Sequence, residues 1–165
     1  NPYVDFFYLD VLSSVNEIKI AIDAIKEFEK PYLIGAHISE GTSLPSGEKI
    51  SEIIKNIKHE KLLGLILACV SPENYELNKN ELKKLNIPYG FKLNGFETTK
   101  PSIGYTDAYK KSKSGNPNEF LGKRKDLDPE NLKKISKLFK EDGATILGGC
   151  CETSPAHIKE ISSIR

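Results

Sequence analysis

The sequence carries three cysteines, Cys69, Cys150 and Cys151, in two settings of the same design. Leu65-Ile66-Leu67-Ala68-Cys69-Val70-Ser71-Pro72 and Ile146-Leu147-Gly148-Gly149-Cys150-Cys151-Glu152-Thr153-Ser154-Pro155 both pass from an apolar run through sulfur to a Ser-Pro pair. An apolar run reads as a buried strand, and Ser-Pro as the cap and first turn of a helix. Each thiol therefore belongs where a strand hands over to a helix, and there free N–H groups and the helix dipole favour a thiolate. Adjacent cysteines make a poor structural disulfide, because neighbouring Cα atoms lie only ~3.8 Å apart, short of the usual ~4.4–6.8 Å. Three thiolates with a fourth position left open describe a catalytic zinc site, and an all-sulfur set prefers zinc to magnesium or calcium. A thiol brought to such an ion is deprotonated and nucleophilic at neutral pH. Gly148 and Gly149 suit this, since they let backbone and ligand come close. Singly, each cysteine is better read as a small buried apolar residue. The trio at strand ends favours the metal.

The elements that must position these sulfurs form five β-then-α units. Strand patterns cover Val4 to Leu9, Pro31 to Ala36, Leu62 to Ala68, Pro88 to Leu93 and the run ending at Gly149. The first is apolar at nearly every position and reads as buried on both faces. Helices follow from Ser13 or Ser14 to about Phe28, through Ile50, Ile53, Ile54 and Ile57, from Pro72 to about Lys84, from Asp128-Pro129, and from Ser154-Pro155. The fourth carries Leu132, Ile135, Leu138 and Phe139 on one face. Such alternation demands a parallel α/β sheet with right-handed crossovers.

Five units cannot close an eight-stranded barrel. The chain is either an open doubly wound domain or the last five units of a (β/α)8 TIM barrel whose first three are missing. The sequence has no methionine and runs from Asn1-Pro2 almost directly into a strand, so it reads as cut from a longer protein, which favours the barrel. In a barrel, alternate strands share a layer, so Asp10, Cys69 and Cys150-Cys151 approach one another although 81 residues separate Cys69 from Cys150.

The remaining features narrow the class. With 165 residues the chain is one ordinary domain, and 24 basic against 23 acidic side chains leave a net charge of +1, with no pull toward nucleic acid or membrane. An odd number of cysteines, two of them adjacent, suits a reducing cytoplasm. Residues 94 to 127 resist a regular reading, as functional loops do. Lys110, Lys111, Lys113, Lys123, Arg124 and Lys125 make that stretch basic without the interleaved aromatics of single-strand nucleic-acid binders. Asn94 closes a strand at the face of the cysteines, though Asn-Gly is also a plain turn. His37 ends a strand and reads as structural; His59 and His157 read as helix-surface residues.

Taken together, these residues resemble the zinc-dependent homocysteine S-methyltransferase family, which includes betaine–homocysteine methyltransferase and the homocysteine domain of methionine synthase. Gly148-Gly149-Cys150-Cys151 followed by Thr153-Ser154-Pro155-x-His157-Ile158 is similar to that family's last-strand motif. Ala68-Cys69-Val70-Ser71-Pro72-Glu73 is similar to the motif of its first zinc cysteine, and Val4-Asp5-Phe6 through Asp10, Leu44 to Glu48 and Asn94-Gly95 follow in family order. The chain departs at Asp10, where Glu is usual, and at Ala68, where Asn is usual.

The resemblance implies that residues 1–165 are the C-terminal part of one homocysteine-binding barrel, inactive alone. It further implies Zn2+ on Cys69, Cys150 and Cys151, and homocysteine contacts from Asp10, Asn94, Gly148 and Gly149. Methyl transfer from a small-molecule donor to the sulfur would give methionine. Betaine, S-methylmethionine, S-adenosylmethionine and methyl-folate through cobalamin all serve in the family, so the donor stays open, as does oligomerisation. Two other readings fit the residues: a barrel remnant that binds zinc or thiols without catalysis, and a metal-free thiol enzyme on an open sheet.

Overall fold

The computed structural model describes residues 3–57, 60–99 and 118–164. His59, Lys110, Lys111 and Lys113 lie outside the described residues, as does most of the irregular stretch noted above. Strands and helices alternate as β1 (Phe7–Leu12), α1 (Val15–Ile25), β2 (Tyr32–His37), α2 (Ile50–Lys55), β3 (Leu62–Val70), α3 (Pro72–Lys83), β4 (Tyr89–Leu93), α4 (Pro129–Glu141), β5 (Ile146–Gly149) and α5 (Pro155–Ser162). Single 3-10 turns occupy Lys26–Phe28 and Glu119–Leu121. The helices begin where capping chemistry allows. Ser14 Oγ accepts from Glu17 N–H at 3.0 Å, Ser71 Oγ from Asn74 N–H at 3.2 Å, and an Asp128 carboxylate oxygen from Asn131 N–H at 2.9 Å.

The five strands are parallel, and their order in the sheet is their order in the sequence. No reversal interrupts it, whereas a doubly wound sheet reverses at its switch point. Consecutive helices touch (α1 on α2, α2 on α3, α4 on α5), so they form one layer over one face. Ile34, Leu65, Leu67, Phe91 and Leu93 meet Ile18, Ile53, Leu82 and Leu132 there. Tyr75 closes this core against Phe91 and Phe139, with ring centroids 5.0 and 4.6 Å away.

Alternation sends the intervening residues to the other face. In register across it run His37, Ala68, Lys92 and Gly148. Tyr8 and Asp10 share that face, since a Cβ on Gly35 would meet Tyr8 Oη at 2.7 Å and Asp10 Oδ1 at 2.9 Å.

Several local expectations change. Strand β1 starts at Phe7, not Val4, and continues past Asp10 to Leu12. It is a half-buried edge, with Val11 40% exposed, because nothing pairs with its outer side among the described residues. The first helix yields to a 3-10 turn at Lys26. Leu138 points to solvent at 62% exposure; Leu132, Ser136 and Phe139 are the buried residues of α4. His157 is buried, not on a surface. No helix among the described residues is long and apolar enough to cross a membrane.

Candidate metal centre

Cys69 lies inside β3, one residue beyond the expected strand end, at a point where pairing with β4 slips between Ala68 and Val70. Its φ of 55° is left-handed, a conformation that costs a non-glycine residue roughly 1–3 kcal/mol and persists only when its surroundings over-determine it. Asn94 supplies the constraint. Its fully buried amide donates from Nδ2 to the Cys69 carbonyl at 2.7 Å and accepts the Phe96 N–H at 3.2 Å, while its own N–H donates to Val70 O at 2.9 Å. The bulge turns the Cys69 side chain out of strict alternation, as bulges beside functional sites do. A second slip, between Leu9 and Leu12, brackets Asp10 and has Val11 at φ 56°.

Cys150 and Cys151 follow β5 directly. Cys150 N–H donates to Leu93 O at 2.6 Å, and the Cys151 carbonyl accepts from Gly95 N–H at 2.9 Å, so both cysteines are fastened to the end of β4. Thr153 N–H closes a turn onto Cys150 O at 3.1 Å with Glu152 at φ 61°. His157 fixes the helix that follows. Its Nδ1 accepts from Ser154 N–H at 3.0 Å, which leaves Nε2 protonated to donate to Leu127 O at 3.0 Å. This buried tie is what the sequence reading missed at His157; the Ser-x-x-His spacing at a helix start was its only signal.

These two anchors bring the three sulfurs together. Cys69 Sγ lies 3.8 Å from Cys151 Sγ, Cys150 Sγ lies 3.9 Å from Cys151 Sγ, and all three sit within 4.8 Å of one another. Those separations are far beyond a disulfide bond of ~2.05 Å. They match the ~3.8 Å edge expected between sulfurs ~2.3 Å from a tetrahedral zinc. Without a metal the cluster holds few negative charges at once. The Cys69 thiol, donating to Cys150 sulfur, is the main cause that lowers Cys150 to about 6, helped by the Cys151 N–H and the charge of Lys92 against the opposing effect of burial. Cys69 is driven up, first by that same hydrogen bond and then by burial, and Cys151 is raised chiefly by burial.

Asp10 does not reach the sulfurs. Its carboxylate pairs with Lys92 Nζ, whose ammonium stands 5.3 Å above the Tyr8 ring. Burial, then the neighbouring Asp10 carboxylate, pushes the Tyr8 phenol up. Lys92, Tyr8 and Gly35 were not singled out from the sequence. The signal for Lys92 was a lysine between Phe91 and Leu93, hence on the opposite face of β4. Gly148 lies beneath Lys92, with the Lys92 Cγ 3.8 Å from where a Cβ would stand, and Gly149 faces Thr153 and Ile158. An open cleft of about 360 Å³ adjoins Cys69 and Cys151, lined also by His37, Phe96, Thr99 and Phe120. His37 Nδ1 lies 3.5 Å from Ala68 O, too long to count as a firm hydrogen bond.

Residues 1–164 match the family model for homocysteine S-methyltransferase. The chain belongs to that family. It is 26% identical over 167 residues to homocysteine S-methyltransferase 1 of Saccharomyces cerevisiae, with 99% of this chain and 48% of the relative covered. With homocysteine S-methyltransferase YbgG of Bacillus subtilis it shares 25% identity over 170 residues, covering 96% and 46%. Among solved structures, the metallated form of the homocysteine methyltransferase MmuM from Escherichia coli superposes with a TM-score of 0.70 at 15% identity, covering 98% of this chain and 45% of that one. The chain spans about half the length of the curated relatives it matches.

Proposed function

We propose that this chain supplies the zinc- and homocysteine-binding part of a (β/α)8 enzyme that transfers a methyl group from a small-molecule donor to homocysteine, giving methionine. The observation that carries the reading is the triangle of sulfurs from the ends of β3 and β5, spaced as zinc requires and left with an open side. Sequential strand order and a single helix layer support the barrel, in which three further units would cover the β1 edge and the half-buried Tyr8, Leu33 and Ile146.

Cys69, Cys150 and Cys151 would hold the ion, with Asn94 bracing the Cys69 peptide. Bound zinc supplies the positive charge that keeps a substrate thiol ionised at neutral pH. The residues around it do the rest. Asp10 offers its carboxylate to the substrate ammonium, and Gly148 and Gly149 leave room for the substrate against β5. The open cleft by Phe96 and Phe120 gives the substrate a place beside Cys69 and Cys151. In the transfer itself the thiol proton leaves to solvent, the sulfur lone pair forms the new S–CH3 bond, and the donor departs with the electrons of the broken bond. Alignment and desolvation are what the protein contributes to such a displacement. Free thiols at this site suit a reducing cytoplasm.

The test uses the protein that carries this chain at its natural length, purified under reducing conditions. About one zinc per chain is expected, with methionine formed from homocysteine and at least one of betaine, S-methylmethionine, S-adenosylmethionine or methylcobalamin. A zinc-replete protein that forms no methionine with any of them would overturn the proposal.

A further inference from the structure

We infer that Lys92 reads the carboxylate of the incoming amino acid, so that Asp10 and Lys92 together form a two-charge receptor for a zwitterionic headgroup. The inference rests on the methyltransferase reading and deepens it. Lys92 sits in a strand whose neighbours are Gly90, Phe91 and Leu93, and it is the one charged side chain of β4. It faces away from the helix layer, in the register row that ends at Gly148, two residues before Cys150.

Packing does not account for it. Partly exposed ion pairs contribute about 0–1 kcal/mol, which does not offset placing a lysine on this face. Its position does make sense beside a ligand. The ammonium touches the Asp10 carboxylate and lies over the Tyr8 ring, while its stem runs beside Gly148, with the Lys92 Cγ 3.8 Å from where a Cβ there would stand. Side-chain exposures of 19% for Lys92 and 35% for Asp10 leave both charges reachable by a ligand.

An α-amino acid carries an ammonium and a carboxylate on one carbon. A carboxylate and an ammonium held in contact present the complementary charges at the matching spacing. Insertion of the headgroup replaces one ion pair with two, and desolvation of the pair by the ligand strengthens both. The arrangement also selects against thiols lacking the carboxylate, because these would leave Lys92 facing only Asp10 while Asp10 is shared.

The experiment compares two ligands on the zinc-loaded, natural-length protein: homocysteine, and 3-aminopropanethiol, which is homocysteine without its carboxylate. Lys92→Met should weaken homocysteine binding by about ten- to a hundredfold, the worth of a charge-assisted contact. It should leave 3-aminopropanethiol nearly unchanged, and Lys92→Arg should restore most of the preference. Asp10→Asn should weaken both ligands, since both carry the ammonium. Should Lys92→Met fail to fold, Lys92→Gln carries the same comparison; zinc content reports the integrity of each variant. Equal losses for the two ligands, or homocysteine affinity unchanged in Lys92→Met, would overturn the assignment while methionine formation by the wild type kept the methyltransferase reading. Wild-type protein that neither binds homocysteine nor forms methionine would remove that reading and this one with it.

Discussion

Asn94→Asp isolates the clamp on Cys69 with the least change of shape. The native amide is fully buried, donates to Cys69 O at 2.7 Å and accepts from Phe96 N–H at 3.2 Å. Aspartate keeps the acceptor and loses the donor, so the Cys69 carbonyl is left without that partner and a carboxylate is set against it. An orphaned buried group costs about 1–3 kcal/mol. The left-handed φ of Cys69 adds a strain of roughly the same size that Asn94 no longer restrains. Relaxation of the bulge would carry Cys69 Sγ out of the triangle, and loss of a partner that orients a ligand typically lowers metal affinity about 10–100-fold. Zinc affinity is measured by competition with a chromophoric chelator, and urea unfolding on the same samples separates lost metal from lost fold. The expected result is a zinc site weaker by roughly 10–100-fold in a protein destabilised by at least ~1–3 kcal/mol, with the buried carboxylate adding to that cost. A variant that matches wild-type zinc affinity would refute the role given to Asn94.

Gly35→Ala places a methyl group 2.7 Å from Tyr8 Oη and 2.9 Å from Asp10 Oδ1, so both side-chain ends must shift to admit it. Overpacking of this kind costs about 1–3 kcal/mol, so a lower denaturation midpoint is expected together with weaker homocysteine binding; unchanged values for both would contradict the packing described. In zinc-free protein Cys150 has its value lowered to about 6, so its thiolate forms above that pH and is lost below it. The stability that this thiolate lends is therefore complete only above the ordinary thiol value of 9.0, declines as pH falls below that, and is gone below about 6. Iodoacetamide labelling mapped by mass spectrometry should find Cys150 reacting first at pH 7, with Cys69 and Cys151 slow because theirs are raised. Equal labelling of all three would count against the hydrogen-bonded cluster.

Much of the site was legible because it sits where parallel α/β chains always place strand ends. The Ser-Pro helix starts fixed Cys69 and Cys150-Cys151 at one end of the sheet, and the number of units fixed the parallel architecture. What escaped was everything that depends on contacts across strands. The Cys69 bulge needs a left-handed residue held by Asn94, 25 positions away, and no local pattern announces it. Asp10 lies on the face turned away from the helix layer. Its partner Lys92 is 82 residues distant and emerges only from the register of four strands. The early start assigned to β1 has a physical cause as well. Val4-Asp5-Phe6 has strand composition, yet pairing with β2 begins at Phe7, so the composition finds no ladder to join.

The proposed centre is a zinc ion on Cys69, Cys150 and Cys151 with a fourth position for the substrate sulfur. Zinc-edge X-ray absorption on the natural-length protein tests it most directly. The account predicts three sulfur scatterers at about 2.3 Å in the resting protein and a fourth on saturation with homocysteine. Fewer than three sulfurs at rest, or a spectrum that homocysteine leaves unchanged, would contradict it.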